Sequence, residues 1–68
     1  MDLSEIGKII KKRRKLLGVN QIDMCSMIDI SQHTLSAIEN GNANPSIETL
    51  MKIIEILGME IELRIKLK

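Results

Sequence analysis

The stretch Asn20 to Gly41, NQIDMCSMIDISQHTLSAIENG, constrains the fold more than any other, because it holds two helical patterns and the turn between them with no residue to spare. Asn20 stands where a helix begins, and Asp23, three residues on, is placed to return a hydrogen bond to that cap. Met24, Cys25 and Ile28 then share one face. Asp29 and Ile30 bridge to Ser31, a second N-cap, which opens a helix over about Gln32 to Asn40 with Leu35 and Ile38 turned inward. Helices of about two turns do not persist in water by themselves. The rest of the chain must therefore clamp them.

The flanking segments have the right periodicity to do so. Asp2 and Glu5 stand at capping-box spacing, and Ile6, Ile9, Ile10 and Leu17 recur at helical intervals, so a first helix is expected over about Leu3 to Leu17, closed by Gly18. The loop Gly41-Asn42-Ala43-Asn44-Pro45 is rich in turn formers. Ser46 after it caps a fourth helix carrying Ile47, Leu50, Ile53, Ile54 and Leu57, closed by Gly58. That apolar stripe is the most regular in the chain, which places the fourth helix as the central support of the core.

Beyond Gly58 the period falls from 3.6 to 2: Glu60, Glu62, Arg64, Lys66 and Lys68 alternate with Ile61, Leu63, Ile65 and Leu67. The pattern predicts a strand over residues 59–68, following a helical domain over residues 1–58. No other segment offers a strand to pair with it, and an unpaired strand leaves its backbone groups unsatisfied. The simplest resolution is a second copy of the chain, giving a two-stranded antiparallel ribbon across a two-fold axis with Ile61, Leu63, Ile65 and Leu67 at a homodimer interface against the helices. A C-terminal helix fits the alternation poorly, and a frayed tail fits the apolar side chains poorly. Parallel and antiparallel pairing both remain open.

A chain of 68 residues, 44% hydrophobic, supports one small core. Cys25 is the single cysteine, so no intrachain disulfide forms, and no Cys/His cluster suggests a metal or other cofactor. Cys25 reads as a small core residue. No apolar run approaches the roughly 18 residues of a membrane span, and MDLSEIGKII lacks the basic start of a signal peptide, so a cytoplasmic protein is expected. His33 is the lone histidine, with no nucleophile and orienting carboxylate around it to make an enzyme. Met24 suits the core, whereas Met27, Met51 and Met59 suit either core or dimer packing.

The net charge of +1 is too small to argue for a polyanionic partner, but Lys8, Lys11, Lys12, Arg13, Arg14 and Lys15 crowd into one segment. Such a run is ordinarily a solvated helix face. The chain has no Phe, Tyr or Trp, which removes the aromatic platforms that grip single strands, so a nucleic-acid partner would be a duplex. The outward set of the third helix, Gln32, His33, Ser36 and Ala37, suits a major groove: Gln pairs bidentately with adenine, and small residues let the backbone approach. His33 also fits an ordinary exposed side chain.

Arg14, Gly18-Val19-Asn20-Gln21, Met24-Cys25, Ile28, Ile30-Ser31, Leu35, Ile38-Glu39-Asn40-Gly41, Pro45-Ser46, Leu50, Ile54 and Leu57-Gly58, taken in order, resemble the Cro/CI-type (XRE) helix-turn-helix regulators over about residues 6–58. The resemblance implies a mostly α, compact four- to five-helix, lambda-repressor-like domain that sits on operator DNA as a dimer and represses transcription. It further implies base contacts from Gln32, His33, Ser36 and Ala37, and phosphate contacts from Asn20, Gln21, Ser31, Thr34 and Asn40. Beside such a motif the basic run gains weight, and Arg13 joins the phosphate set. Arg14 and Glu39 match a structural ion pair between the first and third helices. The appended strand is similar to HipB-type antitoxins, which implies a HipA-like kinase toxin as a possible partner. The chain departs from the family pattern at Asp29, where a turn glycine is usual, and at Ala37, where many relatives carry a longer reader.

Overall fold

In the computed structural model, which describes residues 1–67, each helix begins at a side chain that accepts a hydrogen bond from the backbone three residues ahead. Asp2 Oδ1 accepts from Glu5 N at 2.9 Å and Asn20 Oδ1 from Asp23 N at 2.8 Å; Ser31 Oγ accepts from Thr34 N at 3.0 Å and Ser46 Oγ from Thr49 N at 3.1 Å. These caps satisfy donors that no helical carbonyl can reach. They open α1 (Leu3–Leu16), α2 (Gln21–Ile28), α3 (Gln32–Glu39) and α4 (Ile47–Ile56), four helices among the described residues. Leu17 and Asn40 stand one position past α1 and α3, as their C-caps.

The core is Ile10, Met24, Cys25, Ile28, Leu35, Ile38, Ile53 and Leu57, drawn from all four helices and the residue that caps α4. Two expected stripes are narrower than their sequence pattern. On α1 the buried residues are Gly7, Ile10 and Arg14, while Ile9 and Leu17 are exposed and Ile6 is half-buried. On α4 the packing centres on Ile53, and Ile47 is 65% exposed. On α1 the reason lies at Gly7. A Cβ there would fall on the backbone carbonyl oxygens of Ile38 and Glu39, so α1 meets α3 backbone to backbone at this point and rotates Ile9 away. Among the methionines, Met27 and Met51 are exposed and Met59 is half-buried.

Residues 59–67 carry neither helix nor ladder, so the expected strand does not form within one chain; Lys68, its last residue, lies outside the described residues. The physical reason is the missing second strand, since ladder bonds are made between strands and not within one. Leu63, Ile65 and Leu67 are 93%, 92% and 88% exposed. The radius of gyration, 12.1 Å, exceeds the roughly 11 Å of a compact chain of this length, as a projecting tail requires. No helix among the described residues is long and apolar enough to cross a membrane.

Candidate nucleic-acid interface

The turn between α2 and α3 depends on one residue. Asp29 takes the left-handed conformation, φ 56° and ψ 50°, and its amide donates to Cys25 O. The Ile30 amide donates to the same carbonyl at 3.2 Å. Only Gly, Asn and Asp enter that region readily, and Asp does so without a glycine's loss of backbone freedom on folding. Reversed this way, the chain enters α3 at Ser31, whose side chain both caps the helix and shares a 2.8 Å hydrogen bond with the Thr34 hydroxyl. Ser31 and Thr34 are exposed, with their hydroxyls engaged by each other.

Leu35 and Ile38 pin α3 to the core and fix which way the helix faces. Gln32, His33 and Asn40 are exposed, and Ser36 and Ala37 are half-buried beside them. The Asn40 amide reaches toward Ser36 Oγ at 3.5 Å, the long limit of a hydrogen bond. Asn20 is exposed at the start of α2, where the free amides of a first helical turn favour an anion. On α3, Gln32, Ser36 and Asn40 recur every four residues, the interval that stacks side chains on one face of a helix.

Beneath this face lies a buried ion pair. Arg14 Nε donates to Glu39 Oε2 at 2.6 Å and Nη2 to Oε1 at 2.9 Å, a two-pronged contact that ties α1 to the end of α3, while Nη1 donates to Val19 O at 2.9 Å. The side chains are 8% and 1% exposed. Hydrogen bonding to Glu39 raises the Arg14 pKa further, against the opposing pull of burial. Burial works against the Glu39 carboxylate, but hydrogen bonds from Arg14 and Gln21 outweigh it and hold its pKa below the ordinary value. Burial pushes the Cys25 thiol up, away from reactivity.

Three contacts carry no signal in composition or periodicity. Gln21 Nε2 donates to Glu39 Oε1 at 3.1 Å, and Gln32 Nε2 donates to Gln21 Oε1 at 3.3 Å, so the exposed Gln32 is linked through Gln21 to the buried pair. Gln21 is half-buried and held between them. Arg13 Nε donates to Leu57 O at 2.9 Å, which ties that side chain to the residue that caps α4. Two arginines of the basic run thus serve the fold first, leaving Lys8, Lys12 and Lys15 exposed and Lys11 half-buried.

The family model described as Helix-turn-helix matches residues 10–63. The chain is similar to the ImmF control region 10 kDa protein of Bacillus phage phi105, 33% identical over 61 residues, covering 90% of this chain and 68% of that protein. It is 34% identical over 53 residues to an uncharacterized HTH-type transcriptional regulator of Methanocaldococcus jannaschii, covering 78% of this chain and 80% of the relative. A third relative, an uncharacterized HTH-type transcriptional regulator of Haemophilus influenzae, is 34% identical over 58 residues, covering 85% of this chain and 58% of its own length.

Proposed function

The chain belongs to the helix-turn-helix family, of the XRE type, and from that premise we propose that it is a DNA-binding transcriptional regulator, a repressor that works as a homodimer on a palindromic operator. In this reading α3 enters the major groove. Gln32 and His33 touch base edges there, with Ser36 and Ala37 close enough for van der Waals contact with a thymine methyl. Asn20 and Gln21 meet a phosphate at the start of α2; Ser31, Thr34 and Asn40 meet others along α3, and Arg13 one beside α1. Two copies set their α3 helices about 34 Å apart, one helical turn of DNA.

The observation that carries the reading is the exposed polar face of α3, held rigid from behind by Leu35, Ile38 and the Arg14–Glu39 pair. A face so supported loses little freedom on docking, and rigid presentation is what base discrimination demands. The test is a gel-shift titration of the folded protein against duplex from its own promoter at low salt. Binding is expected, and replacement of Gln32 and His33 by alanine should weaken specific binding more than non-specific binding, by about 1–3 kcal/mol for each good base contact. A folded protein that shifts no such duplex refutes the proposal.

The exposed tail gives a second reading its support: Leu63, Ile65 and Leu67 would suit a toxin protein that the chain neutralises while regulating its own operon. Co-purification with the product of the adjacent gene tests it, and a dimer that emerges without that neighbour counts against it.

A further inference from the structure

The tail is unpartnered in one chain, yet its charges are ordered. Glu60 and Glu62 come first, Arg64 and Lys66 last, all on one face of an extended segment, with Met59, Ile61, Leu63, Ile65 and Leu67 on the other. We infer that two copies pair tail to tail as antiparallel strands in one register, centred on Leu63 opposite the partner's Leu63; this rests on the homodimer reading above. In that register Glu62 lies opposite the partner's Arg64, and Glu60 opposite the partner's Lys66. The two-fold repeats both pairs. On the other face Ile61 meets the partner's Ile65, and Met59 the partner's Leu67.

The competing registers fail on charge or on burial. A slip of one residue turns every apolar side chain of one strand onto the polar face of the other. A shift of the centre to residue 62 sets Glu62 against its own copy, and a shift to residue 64 does the same to Arg64. Parallel in-register pairing opposes like with like at Glu60, Glu62, Arg64 and Lys66 together, and directly opposed like charges destabilise a strand pair. Within a single chain Arg64 turns back to Glu62, Nε to Oε1 at 3.0 Å and Nη2 to Oε2 at 3.2 Å. Both side chains are largely exposed, so exchanging that contact for the partner's costs little.

The apolar side of the paired strands has a seat. Ile61, 43% exposed, lines with Glu60 and Glu62 of the same tail a groove of about 350 Å³ whose helix walls carry Ile6, Ile9, Ile47 and Ile54. Ile9 and Ile47 are among the residues of the two helical stripes that the chain's own core leaves uncovered. The partner's Ile65, beside Ile61, extends the cover over this groove, and the symmetry covers the second groove in the same way. The occupant is therefore a second copy of this chain, selected by charges that pair without any like-charge opposition only about Leu63.

Cysteine cross-linking of the full chain reads the register, because directly opposed residues lie within disulfide reach. The wild type, whose Cys25 is buried, is the control. Under mild oxidation L63C should form a disulfide-linked dimer; I61C and I65C should each stay largely uncrosslinked alone and link when mixed. E62R should raise the dimer dissociation constant roughly two- to thirtyfold, as two cross-strand pairs turn repulsive, and E62R/R64E should restore it. Rapid self-linking of I61C, or no linking of L63C in a protein that light scattering shows to be dimeric, overturns the register and leaves the homodimer standing. An E62R variant that dimerises unchanged does the same. A wild type that stays monomeric at every concentration overturns the homodimer itself.

Discussion

Replacing Arg14 by methionine tests the buried pair beneath α3. The change removes two hydrogen bonds to Glu39 and one to Val19 O, and leaves a carboxylate with 1% of its side chain exposed and Gln21 as its remaining donor. Stripping one member from a buried pair costs about 3–5 kcal/mol. A chain of this length has about 3–10 kcal/mol of stability in all, so R14M should consume about a third of it or more. Replacing both members, R14M/E39M, should leave stability within about 1 kcal/mol of wild type or above it, because apolar residues of similar volume fill the space without buried charge. The pH dependence separates this from simple loss of packing. In the wild type Glu39 titrates below the ordinary carboxylate value, so its contribution is present above about pH 4.3 and is lost as pH falls through the lowered value. In R14M the cation is gone and burial raises that pKa instead, so the sign inverts and the variant regains stability as pH falls from 7. Urea denaturation followed by far-ultraviolet circular dichroism at fixed protein concentration measures both effects; the chain has no Trp or Tyr to report by fluorescence. An R14M loss below about 1 kcal/mol, or a double variant as unstable as the sum of the two singles, refutes the reasoning.

Further outcomes follow from particular contacts. Gly7→Ala should destabilise by about 1–3 kcal/mol, despite the better helix propensity of alanine, because its methyl meets the Ile38 and Glu39 carbonyls; thermal melts decide it, and a stabilised variant refutes the close approach. Asp29→Gly should change stability by no more than about 1 kcal/mol, relief at φ 56° offsetting the glycine's greater freedom when unfolded, whereas Asp29→Val should cost more. Arg13→Ala should cost about 1 kcal/mol in the same melts through the lost bond to Leu57 O. In DNA titrations it should also lower the slope of log affinity against log salt by about 1 if its charge reaches a phosphate.

The helical frame was legible because capping chemistry is local. Asp2, Asn20, Ser31 and Ser46 mark the helix starts, and each accepts the hydrogen bond its side chain is built to accept. Periodicity located Met24, Ile28, Leu35 and Ile38 in the core, but it overstated the inner faces of α1 and α4. An apolar stripe shows what can be buried, not how much of it one chain has the partners to bury, and Ile9 and Ile47 lie on the part left over. Gly7 carries a signal of its own: an isolated glycine inside a helical pattern costs stability unless a neighbour must come close, and here α3 does. Around α3, position in the helix locates Gln32 and His33, whereas the Gln21–Glu39 and Arg13–Leu57 contacts join residues far apart in sequence that no spacing rule connects.

The chain of contacts from Glu39 through Gln21 to Gln32 also has a direction. An ionised carboxylate holds no proton, so Glu39 can only accept, and Gln21 must face it with nitrogen rather than oxygen. That choice turns the Gln21 oxygen outward, and Gln32 answers it with nitrogen. A glutamine amide otherwise rotates between two nearly isosteric poses, with oxygen and nitrogen exchanged. Here the tie is broken from inside, and the exposed amide shows its free oxygen and one remaining N–H in a set order. The polarity at the surface is written by a charge in the core.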